Sequence, residues 1–226
     1  MIGQRLPASL THKNSAPRAV GLFRIVSVLL LFCAWSGVRA QDWPFELWHE
    51  GKVVLLEGDT LRGLVKYDMQ QDLLQYNGAS GQKVVAYSAR KVLFFEIFDI
   101  TIHRYRQFFA LPFNTPAGYK SAVFFELLEE GKMTLLSREA LEYRTSPNPY
   151  SPYYNSVSRL VLVYKYFFMD ENGKIEEFTG DKRDLLDLMG KNADDVEKYI
   201  KTNRLKVDEK YDFAKIIAYY NSLYGT

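Results

Sequence analysis

Two histidines are the residues of the body of this chain that could most directly bind a metal or carry a proton. His49 and His103 lie far apart in the sequence, and neither forms an HxH or HxxxH pair. Metal-binding histidines usually show such spacing. His103 also precedes Arg104 and Arg106, whose positive charges disfavour a bound cation. We therefore predict neither a metal site nor a cofactor.

Paired carboxylates are the second candidate chemistry, because two converging acids can hydrolyse a glycosidic bond. Pairs occur at Glu129-Glu130, Glu176-Glu177 and Asp194-Asp195. All three fall in predicted turns or helix starts, so we interpret them as solvated. The sequence also lacks a GxSxG elbow, a phosphate-binding P-loop and a GxGxxG fingerprint. We expect no catalytic residues, and an envelope hydrolase working through carboxylates is the alternative.

Residues 1–40 have the pattern of a signal peptide. A basic region ends at Arg24, an apolar run follows over residues 25–35, and Val38-Arg39-Ala40 precedes Gln41. This small-x-small pattern predicts cleavage between Ala40 and Gln41. The apolar run is shorter than the ~20 residues that span a bilayer. We expect the leader to contact the membrane only during export, and an uncleaved anchor is the alternative.

Removal of the leader changes the chemistry of the chain. Cys33 is its only cysteine, so the mature chain has no disulfide and no thiol nucleophile. The leader carries five basic residues and no acidic ones, which leaves 24 basic and 27 acidic residues in the body. Nucleic-acid binding depends largely on neutralising phosphates, so this balance excludes it. The predicted location is the periplasm or envelope of a Gram-negative-type bacterium.

The stretch Ala122–Glu139, AVFFELLEEGKMTLLSRE, predicts a hairpin with its turn at Glu130-Gly131. This turn pairs Leu128 with Met133 and Phe125 with Leu136. Because side chains alternate along a strand, two apolar faces result. One face carries Phe125, Leu127 and Leu136, and the other carries Phe124, Leu128, Met133 and Leu135. A hairpin with two apolar faces needs cover on both sides.

Other short apolar runs predict further strands. Gly58-Asp59 and Asn172-Gly173 are turn signals, and Gly63 inside a strand indicates a bulge or a close backbone approach. Phe-Phe doublets at 94–95, 108–109, 124–125 and 167–168 place a ring on each face of the sheet. Pro112 and Pro116 are expected to end the strand that begins near His103.

From Gly180 the apolar spacing becomes helical. Asp181, Asn192 or Asp194, and Asp208 are the expected caps of three short helices. The predicted fold is α+β: a mainly antiparallel body of about eight to ten strands, either a curled sheet or a barrel-like sandwich, with the three helices packed on it. The predicted divisions are a signal peptide over 1–40, a β-rich body over 41–179 and a helical extension over 180–226 that docks on the body.

The segment from Tyr143 to Ser158 reads as a long surface loop, because it contains Pro147, Pro149 and Pro152. Three tyrosines, Tyr150, Tyr153 and Tyr154, make it the best binding candidate in the sequence. Tyrosine offers flat apolar area and a hydroxyl at low entropy cost, which suits protein or sugar contacts. The alternative is a stiff connection whose tyrosines lie back on the body.

Three stretches resemble a group of uncharacterised exported proteins of the Gram-negative envelope. They are GDTLRGLVKY, FFELLEEGKMTLLSRE and the tail DKRDLLDLMGKNADDVEKYIKTNRL with DFAKIIAYYNSL, which includes the motif YYNSL. The resemblance covers roughly residues 48–223 and is closest at the tail. It implies a signal peptide, a β-rich body and a short helical end, and it implies no activity.

These observations favour an exported, non-catalytic envelope protein that serves in interaction or assembly. The expected partner is an envelope protein or a glycan. The alternatives are the carboxylate hydrolase and a carrier of lipids or other apolar ligands. A cleft with two converging carboxylates would favour the hydrolase, and a packed interior would argue against the carrier.

Overall fold

Ten antiparallel strands make up the body of the chain. A computed structural model describes residues 43–78, 83–114, 118–147 and 156–224. The strands are β1 (His49–Leu55), β2 (Thr60–Asp68), β3 (Leu73–Gly78), β4 (Val85–Ser88), β5 (Val92–Asp99), β6 (Arg104–Asn114), β7 (Lys120–Glu129), β8 (Thr134–Pro147), β9 (Ser156–Met169) and β10 (Ile175–Phe178). They pair in the order β10-β9-β8-β7-β6-β5-β1-β2-β3-β4, so β10 and β4 are the edges of one open sheet.

The sheet curls strongly. Four strands separate β2 from β8, which would place them about 24 Å apart in a flat sheet. Yet the Tyr67 hydroxyl on β2 donates a hydrogen bond of 3.0 Å to Glu139 on β8. The turn after β2 makes a second contact across the curl, where Asp72 accepts from the Phe124 amide at 2.8 Å and forms an ion pair with Arg138 at 2.8 Å.

One face of the sheet lies inside the curl and encloses what we call the curl core. Its buried side chains come mainly from β1, β2 and β5 and include Val53, Val65, Tyr67, Leu74, Phe95, Ile97, Phe108 and Phe124. The rings of Phe95 and Phe108 stack with their centroids 4.6 Å apart, and Phe124 meets Phe95 edge-on at 5.1 Å. This part of the interior is tightly packed.

The opposite face carries a smaller set of buried side chains, the outer cluster, formed by Val123, Phe125, Leu136 and Phe167. Phe124 and Phe125 therefore lie in different clusters, as do Phe167 and the half-buried Phe168. The phenylalanine doublets put rings on both faces, as predicted.

The central hairpin has the predicted faces but a different register. Leu127 pairs with Leu136 and Glu126 with Ser137, two residues away from the expected pairing, and a bulge follows Leu127. Asn221 accounts for the longer turn, because its side chain bonds both the amide and the carbonyl of Met133, at 2.9 and 3.0 Å. A shift of two residues preserves the alternation of faces, whereas a shift of one would reverse it.

The helices follow the last strand: α1 (Lys182–Met189), α2 (Ala193–Asn203) and α3 (Lys210–Ser222). The side chain of Asp181 caps α1, as expected, by accepting from the amides of Arg183 and Asp184. The helices and one sheet face enclose the helix core, whose buried residues are Leu135, Tyr166, Leu185, Met189, Val196, Ile200, Phe213, Ile216, Ile217 and Tyr220. Helix α3 contacts β7 and β8 directly. Helix α2 packs on α3, and α1 packs on α2.

Several predicted details are wrong. Pro112 does not end β6, which runs on to Asn114. Beyond Phe109 only β7 pairs with this strand, so a residue without an N–H can occupy the free edge. Asp208 is not the cap of α3, because Glu209 holds that position without a side-chain bond. The α+β class is confirmed, and of the two predicted forms of the body the structure has the open, curled sheet rather than the barrel-like sandwich.

Candidate functional site

The tyrosines and the cleavage positions singled out from the sequence lie outside the described residues. This applies to Tyr150, Tyr153, Tyr154, Ala40 and Gln41. The strands on either side of the tyrosine loop are described, and they form the far end of the β8–β9 hairpin. The predicted loop over 143–158 is too long, because β8 runs to Pro147 and β9 begins at Ser156. Tyr143 lies within β8, where it pairs with Leu160 and is 78% exposed. The proposed role of the three loop tyrosines stays a prediction.

The candidate histidines lie in different environments. His49 is buried at the start of β1, where its Nε2 atom lies 2.7 Å from the Pro44 carbonyl oxygen. His103 is exposed in the turn between β5 and β6. Among the described residues, no group of three or more His, Cys, Asp or Glu side chains is arranged to hold a metal ion.

The paired carboxylates lie mostly at the surface. Glu176 and Glu177 are exposed on the edge strand β10, and Asp194 and Asp195 are exposed in the first turn of α2. Glu129 is half-buried at the end of β7, where burial raises the pKa of its carboxyl group. Among the described residues, the three pairs lie on separate elements.

A cluster of buried charges that the sequence analysis missed lies between the curl core and the helix core. Arg106 on β6 is its centre. Its guanidinium donates to Glu126 at 2.7 and 3.0 Å, to Glu139 at 2.5 Å and to Asp99 at 3.0 Å. Lys210, in the first turn of α3, reaches Glu126 at 2.6 Å. All five charged side chains are buried.

The charges of this buried network balance closely, with two cations against three carboxylates. Burial raises the pKa of Glu126, but the charges of Arg106 and Lys210 outweigh it, so the net pKa lies below its ordinary value. Burial likewise opposes ionisation of Asp99, and hydrogen bonds from Thr101 with the charge of Arg106 lower its pKa overall. Both carboxyl groups are therefore ionised at neutral pH.

This network suits a structural role better than a catalytic one. Arg106 holds its carboxylates, and the lowered pKa values of Asp99 and Glu126 oppose a role as general acid, which needs a raised pKa. The network also connects strands β5, β6, β7 and β8 with helix α3, which fixes the helix on the sheet. Because the residues of the network are far apart in the sequence, no local motif predicts it.

A concave surface lies on the sheet face opposite the curl core, and we call it the outer trough. It has a volume of about 900 Å³ and crosses strands β1, β2, β3, β5 and β6. Two rows of side chains form its walls. One row runs Glu96, Lys52, Arg62, and the other runs Tyr105, Phe98, Glu50, Leu64, Asn77.

Three glycines lie between the two walls of the outer trough. Gly51 pairs with Gly63 and Gly63 with Gly78, so they form a row across β1, β2 and β3. A Cβ atom on Gly63 would lie 2.5 Å from the Asn77 carbonyl oxygen. The predicted close backbone approach at Gly63 is thus confirmed, and a Cβ atom on Gly51 would likewise lie too close to the Glu96 carbonyl oxygen.

The walls of the outer trough combine a paired and an unpaired set of charges. Lys52 and Glu96 form an ion pair of 3.2 Å, and Gln107 donates to Glu96 at 2.9 Å. The hydrogen bond from Gln107, with the charge of Lys52, lowers the pKa of Glu96. Glu50 and Arg62 have no ion-pair partner in the described part of the chain, so their polar groups are available to a ligand.

The aromatic end of the trough is strongly exposed. Tyr105 is 72% exposed, and its ring lies 5.1 Å from the ring of Phe98. At the other end, the side-chain oxygen of Asn77 is buried and has no hydrogen-bond partner among the described residues. Chemically, the trough offers an aromatic surface, donors, acceptors and both signs of charge. These are the features of a binding surface for a polar ligand.

Comparison of the chain with protein families, with curated proteins and with solved structures finds no match in any of the three. The resemblance to exported envelope proteins therefore stays a prediction. None of the helices in the described part of the chain has the length and apolar character needed to cross a bilayer.

Proposed function

We propose that this chain is an exported, non-catalytic envelope protein that acts by binding, and that the outer trough is its binding surface. The observation that carries the proposal is the trough itself. The trough has an open volume of about 900 Å³. Its lining includes Glu50 and Arg62, which have no ion-pair partner among the described residues, and the exposed ring of Tyr105.

The carboxylates of the trough argue against the hydrolase alternative. Glu50 and Glu96 are diagonal neighbours across β1 and β5, a relation that separates side chains by about 7–8 Å. Some glycosidases use a similar separation. However, Glu96 is held by Lys52 and Gln107 and its pKa is lowered, which opposes any role as a proton donor. The pair fits ligand contact better than proton transfer.

The carrier alternative receives less support from the interior. A lipid carrier needs an apolar cavity that can hold a chain. In the curl core, the rings of Tyr67, Phe95 and Phe108 lie within 5.9 Å of one another and fill the space between the curled strands. The outer trough is open to solvent and has charged walls. An apolar ligand is disfavoured there because it would take these charged groups out of water without pairing them.

The leader supports the export part of the proposal. The basic region, the apolar run and Val38-Arg39-Ala40 predict cleavage before Gln41. N-terminal sequencing of the protein from the envelope fraction should therefore start at Gln41. An intact leader on the mature protein would contradict cleavage and favour the membrane anchor.

Retention on envelope material tests the binding part. The mature chain, residues 41–226, is mixed with washed envelopes of the producing bacterium, and the fraction that sediments with them is measured. We expect Arg62→Ala with Tyr105→Ala to lose most of the retention. The matched control is Arg144→Ala with Tyr143→Ala, which removes an exposed arginine and an exposed tyrosine from the β8–β9 hairpin.

A third variant separates the trough from the tyrosine loop, with Tyr150, Tyr153 and Tyr154 all replaced by serine. If this variant loses retention while the trough variant keeps it, the loop is the binding surface and the trough is not. If all variants sediment like the unchanged protein, the proposed function is wrong. Melting curves of each variant must match, so that misfolding is not read as lost binding.

A further inference from the structure

We infer that the outer trough binds a neutral oligosaccharide. This inference rests on the proposed function and names its ligand class. The volume of about 900 Å³ lies at the upper end of the roughly 300–1,000 Å³ usual for ligand sites, so it suits an extended ligand better than a single small molecule.

The aromatic end supplies the apolar contact that a sugar ring needs. A pyranose ring has faces made of C–H groups, and a flat aromatic ring matches such a face in area and shape. Tyr105 is 72% exposed and is backed by Phe98, with ring centroids 5.1 Å apart. A packed neighbour limits the motion of the Tyr105 ring, which reduces the entropy lost on binding.

The polar groups supply both sides of the hydrogen bonds that sugar hydroxyls form. A hydroxyl group both donates and accepts. The Glu50 carboxylate accepts, the Arg62 guanidinium donates, and Glu50 and Arg62 have no ion-pair partner among the described residues. The side-chain oxygen of Asn77 has no partner in the described part of the chain and adds a further acceptor at the same wall. A buried acceptor without a partner is costly, and a ligand hydroxyl would remove that cost.

The charge of the walls distinguishes a neutral ligand from a polyanion. Two carboxylates, Glu50 and Glu96, stand against two cations, Lys52 and Arg62, so the trough has no net charge. Polyanions bind where cations dominate, since their affinity comes from neutralising many negative groups. A neutral ligand with hydroxyl groups avoids repulsion from both carboxylates and can still hydrogen-bond Glu50 and Arg62, which have no ion-pair partner among the described residues.

The position of the trough distinguishes a sugar from an extended peptide. Peptides commonly bind a sheet by adding a strand at its edge, where main-chain groups are free. The trough lies on the face of the sheet, and its floor strands β1 and β2 are paired on both sides. Recognition must therefore come from side chains, as it does for the scattered hydroxyls of a sugar.

The test measures binding of four neutral tetrasaccharides by isothermal titration calorimetry, with heparin tetrasaccharide as the polyanionic comparison. The neutral probes are built from β-1,4-linked N-acetylglucosamine, β-1,4-linked glucose, α-1,4-linked glucose and β-1,4-linked mannose. We expect at least one neutral probe to bind saturably and to release the protein from washed envelopes. Tyr105→Ala should weaken this binding about tenfold, the equivalent of roughly 1.4 kcal/mol.

Two further variants show whether the walls recognise the sugar. Arg62→Met and Glu50→Ala each remove a polar group and should weaken binding several-fold, while Tyr143→Ala outside the trough should leave it unchanged. Neutral binding that none of the trough variants weakens would overturn the inference. So would binding of heparin alone.

The results also separate this inference from the proposed function. If retention on envelopes depends on the trough but no neutral tetrasaccharide binds or competes, the glycan inference is wrong and the binding function stands. If retention does not depend on the trough and no tetrasaccharide binds, both are wrong.

Discussion

Arg106 is the side chain on which the largest concentration of buried charge depends. All three nitrogens of its guanidinium donate hydrogen bonds, and its partners are Asp99, Glu126, Glu139 and the Tyr67 hydroxyl. A planar guanidinium with five donors can satisfy several carboxylates at once, which a lysine cannot do. This one residue therefore makes it possible for three acids to lie in the interior of a curled sheet.

Replacing Arg106 by methionine should destabilise the protein strongly. The substitution keeps apolar volume but leaves buried carboxylates without a compensating charge, a change that typically costs about 3–5 kcal/mol. Urea denaturation followed by circular dichroism measures the free energy of unfolding. Arg104→Met, at an exposed position two residues away, is the control and should cost much less. A similar small loss for both variants would show that the network contributes little.

The pKa of Glu126 predicts how stability depends on pH. Arg106 and Lys210 hold this pKa below the ordinary value of 4.5 in the folded state. A carboxyl group with a depressed folded pKa stabilises the fold above its unfolded pKa, and the contribution disappears as the pH falls through the folded value. The free energy of unfolding should therefore decrease as the pH is lowered from 4.5.

Two variants test whether Glu126 causes this loss of stability at low pH. Glu126→Gln should reduce the loss of stability between about pH 5 and pH 3, because the substituted side chain no longer titrates. Glu129→Gln, on the same strand, should not reduce it, since burial raises the pKa of Glu129 rather than lowering it. Identical acid slopes for Glu126→Gln and the unchanged protein would contradict the assignment.

At the scale of elements, Asn221 joins helix α3 to the turn of the central hairpin. Asn221 bonds the Met133 backbone on both its amide and its carbonyl, and thereby withholds Met133 from pairing across the hairpin. Gly131 lies so close to this side chain that a Cβ atom would fall 2.5 Å from its nitrogen. The turn and the helix are therefore shaped to fit each other.

Asn221→Ala should loosen this turn without unfolding the protein. Two hydrogen bonds to the backbone disappear, and we expect a loss of about 1–3 kcal/mol. Hydrogen exchange at the Met133 amide should become faster, because that amide loses its acceptor. Asn203→Ala is the matched control, since its amide bonds an exposed carbonyl at the end of α2. Unchanged exchange at Met133 in the Asn221 variant would rule out the proposed contact.

The same hairpin illustrates how far sequence reasoning reaches. The alternation of Phe124, Phe125, Leu127 and Leu128 identified both faces correctly, because alternation depends only on neighbours along the chain. The register depended on Asn221, which lies about 90 residues away and contacts the turn only after folding. Local patterns contain no information about such contacts.

At the scale of the whole molecule, the buried network and the outer trough also depend on contacts between residues that are far apart in the sequence. Arg106 and Glu126 face each other because β6 and β7 are neighbours, while Lys210 arrives from a helix 84 residues beyond Glu126. The trough likewise depends on strand order. Strand β1 pairs with β5 on one side and with β2 on the other, so side chains of β5 and β6 share one surface with those of β1, β2 and β3. The sequence indicated only a bulge or a close backbone approach at Gly63, and the row that Gly63 forms with Gly51 and Gly78 becomes visible once the strand pairing is known.

Removal of residues 208–226 tests whether the helices are required as cover for the sheet. The deletion takes away α3, with the buried side chains of Phe213, Ile216 and Ile217, and also Lys210. It exposes Leu135 and Tyr166 on the sheet and leaves Glu126 with one cation instead of two. An exposed apolar surface of this kind promotes association. The truncated mature chain should therefore aggregate, as measured by light scattering and by its soluble fraction.

A shorter deletion, of residues 225–226, is the control and should leave solubility and the melting temperature unchanged, because it spares every residue of α3. If the chain that lacks residues 208–226 stays soluble and melts at the same temperature as the full chain, then α3 is not the cover that holds the curled sheet. In that case the helix core contributes little, and the cohesion of the molecule must come from the curl core and the contacts of Asp72 and Arg138 across it.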